Sequence, residues 1–130
     1  MTPPINPKRG EVWRTNLEPV QGSEQGKTRP VVVLSEPPNG RFTMRLCAPI
    51  VHCKPEHAGM AWCVLINPDA ANGLSKQSTA DAAQTRALDT VRFVEKLGTA
   101  SATKLQAILT ALAATVDYTP APAPNAAPKL

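Results

Sequence analysis

Apolar and polar positions divide the chain into several short strands followed by one helix. Residues 10 to 17 (GEVWRTNL) alternate around Val12 and Trp13, and Glu18-Pro19 ends the segment, which predicts a first strand. Pro30 to Ser35 carries the run Val31, Val32, Val33 and Leu34, so a second strand, buried, is expected there. It is broken by Glu36-Pro37-Pro38-Asn39-Gly40, a dense turn signal. Phe42 to Val51 predicts a third strand and Ala61 to Ile66 (AWCVLI) a fourth. The stretch His52 to Met60 between them is polar, broken by Pro55 and Gly59, too long for a tight hairpin and a plausible binding edge. Asn67-Pro68-Asp69 and Asn72-Gly73 punctuate the chain, and residues 82 to 88 predict one more short strand around Gln84 and Arg86. Ser101 then serves as N-cap for a helix whose Leu105, Ile108, Leu109, Leu112 and Val116 form one apolar stripe.

Short strands with polar turns, closed by a packing helix, describe a mainly β fold: a small antiparallel barrel or sheet. Residues 1 to 7 hold three prolines and little to bury, so they are expected as a loose arm. Residues 119 to 130 (TPAPAPNAAPKL) alternate proline with small residues and are expected to be disordered. The single domain therefore spans 8 to 118, and no internal repeat is visible.

Charge sharpens this picture. The net charge is +4, and residues 8 to 54 account for the whole excess, with eight Lys or Arg against four Glu. A polyanionic partner is consistent with that placement. No apolar run approaches the roughly 20 residues that cross a bilayer, and the start lacks signal-peptide character, so a cytoplasmic location is expected. Cys47, Cys53 and Cys63 are an odd set without CxxC spacing, which fits a reducing compartment. His52 and His57 lie near them, but Cys47 and Cys63 fall in apolar runs and are expected as small buried hydrophobes, not zinc ligands. No metal or other cofactor is expected.

The segment from Gly22 to Pro30 (GSEQGKTRP) resembles a phosphate-binding loop only superficially. Three residues, Ser23, Glu24 and Gln25, separate Gly22 from Gly26-Lys27, where the nucleotide-binding pattern needs four, and a strand follows it instead of a helix. Arg29 nevertheless carries a planar multi-donor cation matched to phosphate oxygens, and the following strand would fix its backbone.

Gly10-Glu11-Val12-Trp13, Pro19, the block Gly22 to Ser35 and the later Gln84-Thr85-Arg86-Ala87-Leu88-Asp89 together resemble the MazF/PemK family of toxin ribonucleases, over about residues 8 to 116. The resemblance implies an SH3-like or CcdB-like β-barrel, a homodimer, a MazE-like antitoxin as partner, and sequence-specific cleavage of single-stranded RNA. Such cleavage proceeds without metal if the RNA's own 2′-hydroxyl attacks the adjacent phosphorus, leaving a 2′,3′-cyclic phosphate and a 5′-hydroxyl. The protein must then hold the attack in line, move a proton, and stabilise the charge of the phosphorane.

Arg29 is the expected phosphate-stabilising residue, and Glu24 is either a base or a group that positions Arg29 and Lys27. Ser23, Gln25, Lys27 and Thr28 offer hydrogen bonds or charge for RNA, and Trp13 is either a base-stacking residue or a core residue. In one respect the chain departs from the family, whose catalytic threonine ends the third strand. Aligning Leu46-Cys47-Ala48-Pro49-Ile50 puts Val51 there, without a hydroxyl. The next residue, His52, is either the compensating proton carrier or a solvated loop histidine on the opposite face, and His57 sits deeper in the loop. Two other activities share the fold: a CcdB-like toxin that binds DNA gyrase, and a barrel that binds RNA without cutting it.

Overall fold

The computed structural model describes residues 5–19, 21–24, 27–36 and 43–119. Seven strands and one helix follow in chain order: β1 (Glu11–Asn16), β2 (Thr28–Val33), β3 (Met44–His52), β4 (Cys63–Ile66), β5 (Ser78–Asp81), β6 (Arg86–Asp89), β7 (Phe93–Thr99) and α1 (Ala102–Thr115). The strands form one antiparallel sheet in the order β4-β5-β3-β2-β1-β7, with β6 also on β3. Among the described residues this ladder does not return on itself. The expected barrel is thus an open, seven-stranded sheet ending at β4 and β7.

The long strand β3 organises the sheet. It pairs with β6 over Met44–Cys47, with β2 over Cys47–Pro49 and with β5 over Ile50–His52. Four strands differ from the sequence expectation. β2 starts at Thr28, two residues before Pro30, because pairing with β1 continues to Asn16↔Thr28. The short strand expected over 82 to 88 begins only at Arg86, since Asp81 accepts a hydrogen bond from the Ala83 N–H and caps a 3-10 turn at Ala82–Gln84. β5 and β7 were not anticipated at all.

Alternation sorts the buried residues onto the two faces of the central strands. Val12, Val32, Leu34, Ala48, Ile50, Ile66 and Ala80 pack with Ile108, with Leu105, Leu109 and Leu112 of α1 against them. Trp13, Leu17, Val31, Val33, Cys47, Leu88 and Phe93 form a second cluster. β2 is therefore covered on both faces, which is why its sequence is a continuous apolar run instead of an alternating one. Ser101 caps α1 as expected, its hydroxyl accepting the Lys104 N–H at 3.1 Å. The stripe ends sooner than its periodicity suggests: α1 stops at Thr115, Asp117 takes a left-handed φ of 54°, and Val116 is 65 % exposed.

The chain is tied down before Lys8. Arg45, only 2 % exposed, donates from Nε to the Pro7 carbonyl at 2.9 Å and from Nη2 to Asn6 Oδ1 at 3.0 Å. Pro7 is buried in consequence, so the loose arm is shorter than the expected 1 to 7. Residues 1 to 4 of that arm lie outside the described residues, as does the expected tail apart from Thr119. Cys47 is the small buried hydrophobe expected of it, and burial, partly offset by Arg45, pushes its thiol up to about 12.

Trp13 is corrected by the structure from a candidate base-stacking residue to a core residue. It is 9 % exposed, meets Phe93 edge to face at 5.6 Å between ring centroids, and donates its indole N–H to Glu11 Oε1 at 2.9 Å. Trp13→Ala should cost about 3–5 kcal/mol, the range for emptying an aromatic site in a core, read as a lowered urea midpoint. A variant as stable as the parent would show that the ring is not packed.

Glu11 gathers that hydrogen bond, one from the Lys8 N–H at 2.9 Å, and an ion pair with Lys96 at 3.0 Å. Burial raises the pKa of Glu11, but the bonds from Trp13 and Lys8 and the Lys96 charge outweigh it, so the net shift is downward. A depressed carboxylate stabilises the fold fully above its unfolded value near 4.5 and loses that contribution as pH falls through the folded value. Glu11→Gln should therefore cost about 1–2 kcal/mol near neutrality, with the gap to the parent narrowing as pH falls below 4.5. Equal loss at every pH in denaturant titrations would contradict this.

Candidate active site

The β1–β2 connection is held at its stem by backbone and by two arginines. The Leu17 N–H donates to the Lys27 carbonyl at 2.9 Å, and the Lys27 N–H donates to Glu18 Oε1 at 2.6 Å. Lys27 takes a left-handed φ of 67°, which turns the chain into β2. Arg86 donates to the Leu17 carbonyl at 3.2 Å, and Arg92 donates to the carbonyls of Asn16, at 3.1 Å, and of Glu18. Three consecutive carbonyls that a loop would leave to water are thus captured by guanidinium groups from β6 and from the turn that follows it.

This stem fixes Arg29. Its residue pairs with Thr15 across β1–β2, and the fully buried Thr15 hydroxyl donates to the Arg29 carbonyl at 3.2 Å. On the other side of β2 lies the end of β3, where Ile50, Val51 and His52 pair with Ala80, Thr79 and Ser78 of β5. Arg29, Pro30, Ile50, Val51 and His52 share a cavity of about 160 Å³ with Leu74, Ser75, Lys76 and Ser78. No carboxylate is among these lining residues.

The far wall of the cavity is built by a locked turn. Asp69 Oδ1 accepts the N–H groups of Ala71 and Asn72, each at 2.8 Å. The buried Asn72 side chain donates to the Asn67 carbonyl at 2.9 Å and accepts from the Leu74 N–H at 3.0 Å. A β-carbon on Gly98 would overlap the Ala71 carbonyl, and one on Gly73, whose φ is 72°, would overlap the Leu97 carbonyl. Only glycine lets this turn close against β7 and lead Leu74–Lys76 to the site.

The sequence-based candidates separate accordingly. Arg29 and His52 come together, and Val51 lines the same cavity without a hydroxyl to offer. Glu24, Ser23, Lys27 and Thr28 do not line it. Glu24 Oε1 accepts the Gln21 N–H at 2.7 Å, closing a turn at the loop tip, and the Ser23 carbonyl accepts from Gln84 Nε2 at 3.5 Å. Gln25 lies outside the described residues, and Trp13 is in the core. His57 faces a different cavity, of about 280 Å³, with Cys53, Cys63, Gln77 and Thr79. There its Nδ1 accepts the Lys54 N–H at 3.2 Å and lies 2.9 Å from Thr79 Oγ1. Among the described residues no three His, Cys, Asp or Glu side chains are placed to hold a metal ion.

Sequence reasoning missed Leu74, Ser75, Lys76 and Ser78. Their only signal is the pairing of β5 with β3, which the polar run around Ser78 does not announce.

Among known proteins, the model of the PemK-like, MazF-like toxins of type II toxin–antitoxin systems matches residues 8–116. Endoribonuclease MazF9 of Mycobacterium tuberculosis is 31 % identical over 114 residues, 85 % of this chain and 96 % of that protein. A crystal structure of MazF from Deinococcus radiodurans superposes with a TM-score of 0.74 at 28 % identity, over 88 % of this chain and 99 % of that one. A MazE–MazF structure from the same organism gives 0.69 at 27 % identity, over 89 % of this chain and all, 100 %, of the matched chain. With nearly the whole described domain inside the match, and Arg29 placed at the cavity by the block that carries the likeness, the chain belongs to the family of PemK-like, MazF-like toxins of type II toxin–antitoxin systems.

Proposed function

We propose that this protein is a toxin endoribonuclease that cleaves single-stranded RNA at short sequence motifs in the cytoplasm. The observation that carries this reading is the convergence of a guanidinium and an imidazole, Arg29 and His52, on a cavity with no carboxylate in its lining. A site of that charge suits a phosphodiester, whose negative charge grows as the phosphorane forms. The naming of the M. tuberculosis relative as an endoribonuclease supports the same activity.

The chemistry we infer is attack by the RNA's own 2′-hydroxyl, giving a 2′,3′-cyclic phosphate and a 5′-hydroxyl. Arg29 presents two parallel N–H donors to the non-bridging oxygens, and its backbone is held by the β1–β2 ladder at Thr15. Val51 has no proton to give, so the proton-carrying role falls to His52, whose imidazole can both accept and donate a proton and which stands one residue further along β3. Glu24, tied into its own turn, acts on loop shape and not on the reacting atoms. Ser23, Lys27 and Thr28, exposed beside the cavity strand, contact the RNA outside the reacting phosphate.

The D. radiodurans MazE–MazF structure supports an antitoxin of the MazE kind as partner, and a homodimer is the working assembly. Among the described residues no helix is long and apolar enough to cross a membrane. The missing hydroxyl at Val51 favours one competing reading, an RNA-binding protein without cleavage, and a single experiment separates the two.

That experiment is single-turnover cleavage with matched binding measurements. Arg29→Lys keeps the charge but loses the fork, so it should hold RNA while cleaving about 10²-fold more slowly, and Arg29→Ala should be slower still. His52→Ala should lose about 10²-fold in rate with affinity nearly kept, the scale of general acid–base catalysis. If Arg29→Ala cuts at the parental rate, the mechanism is wrong. A parent that binds RNA and never cuts it would establish the competing reading.

A further inference from the structure

We propose that Lys76 holds a second RNA phosphate, the neighbour of the one at Arg29, and so sets substrate affinity instead of turnover. The assignment rests on the ribonuclease reading above.

Size is the first argument. At about 160 Å³ the cavity is below the roughly 300 Å³ from which pockets for whole small molecules begin, a size that suits a phosphate group. The chain of the RNA must then leave over the rim, carrying its next negative charge with it. Lys76 lines the same cavity as Arg29 and His52, so it is at hand for that charge.

Placement is the second. His52 pairs with Ser78, so Lys76 sits two residues before the end of the paired register and lines the same cavity as His52. Its backbone is fixed, because the buried Ser78 hydroxyl donates to the Lys76 carbonyl at 2.9 Å and the Asn72 turn fixes Leu74. The side chain is exposed, and among the described residues it has no ion pair. Elsewhere on the sheet, by contrast, Arg14 meets Glu95, Lys96 meets Glu11, and Arg45 and Arg86 bond backbone carbonyls.

Chemistry is the third. An ammonium on a flexible stem is a point charge that follows a phosphate without fixing its orientation. It stabilises bound substrate and transition state alike, which lowers KM and leaves kcat alone. At physiological salt its reach is about 8 Å, so an effect on RNA binding demands that the strand pass over it. A lysine that only solvates the surface has no such effect.

The test compares the full chain with Lys76→Ala, Lys76→Arg and, as a charge-loss control on α1, Lys104→Ala. Binding of a 2′-O-methyl oligonucleotide, which cannot be cleaved, is followed from low to moderate salt, and cleavage of the matching RNA gives kcat and KM. Lys76→Ala should weaken binding about tenfold at low salt and make the slope of log K against log salt less negative by about 0.7. Its loss of cleavage should fall on KM, and Lys76→Arg should recover it. If Lys76→Ala matches Lys104→Ala in affinity and slope while Arg29→Ala still stops cleavage, the Lys76 assignment fails and the ribonuclease activity stands. If the parent neither binds nor cuts RNA, both fall together.

Discussion

The site depends on β2 being held from every direction. β1 and β3 pair with it on its two edges, α1 and the Trp13–Phe93 cluster cover its two faces, and Thr15 donates to the carbonyl of Arg29 itself. A long cationic side chain on a mobile loop loses rotamer freedom each time it meets a phosphate. Here the backbone half of that cost is met during folding, when Val31, Val32 and Val33 are buried. The loop preceding Arg29 is held by the same logic: Arg86 and Arg92 spend their donors on its stem carbonyls, and Lys27 supplies the left-handed turn into the strand.

The positive charge of the N-terminal half is accordingly divided between two tasks. Arg45 is buried and serves to anchor Asn6 and Pro7, while Arg14 is paired with Glu95. Neither adds to an RNA-binding face in the way that a count of basic residues suggests. What distinguishes the cavity is local: two basic residues and an imidazole along its lining, and no carboxylate among the residues that line it. Field lines from such a group act on a phosphate within a Debye length of about 8 Å, so composition near the cavity outweighs net charge over the chain.

Much of the fold was legible because large apolar residues carry it. The Val31–Leu34 run, the alternation around Val12 and the stripe capped by Ser101 lie where their patterns place them, except for Val116 at the helix end. β5 escaped because its residues Ser78, Thr79, Ala80 and Asp81 are small or polar, and the first three are buried by pairing between β3 and β4 instead of by their own hydrophobicity. β7 escaped because its middle, Val94, Glu95 and Lys96, is exposed at the sheet's end. At the site, Arg29 and His52 were readable from their own segments. Lys76 was not, since its position follows from a register between strands that only one of the two patterns revealed. Trp13 was ambiguous for a related reason: two adjacent apolar residues on a strand face opposite ways, and only the second core cluster shows that both faces are covered.

The proposed cleavage through the substrate's own 2′-hydroxyl is read from the ends of the products. A target RNA is incubated with the full chain in excess chelator, beside the same RNA carrying a single 2′-deoxy sugar at the cleaved position. The ribonucleotide should be cut to a 2′,3′-cyclic phosphate and a 5′-hydroxyl, and the deoxy-substituted strand should be bound but left whole. Cleavage at the deoxy position, or activity that requires added magnesium and leaves 5′-phosphates, would contradict it.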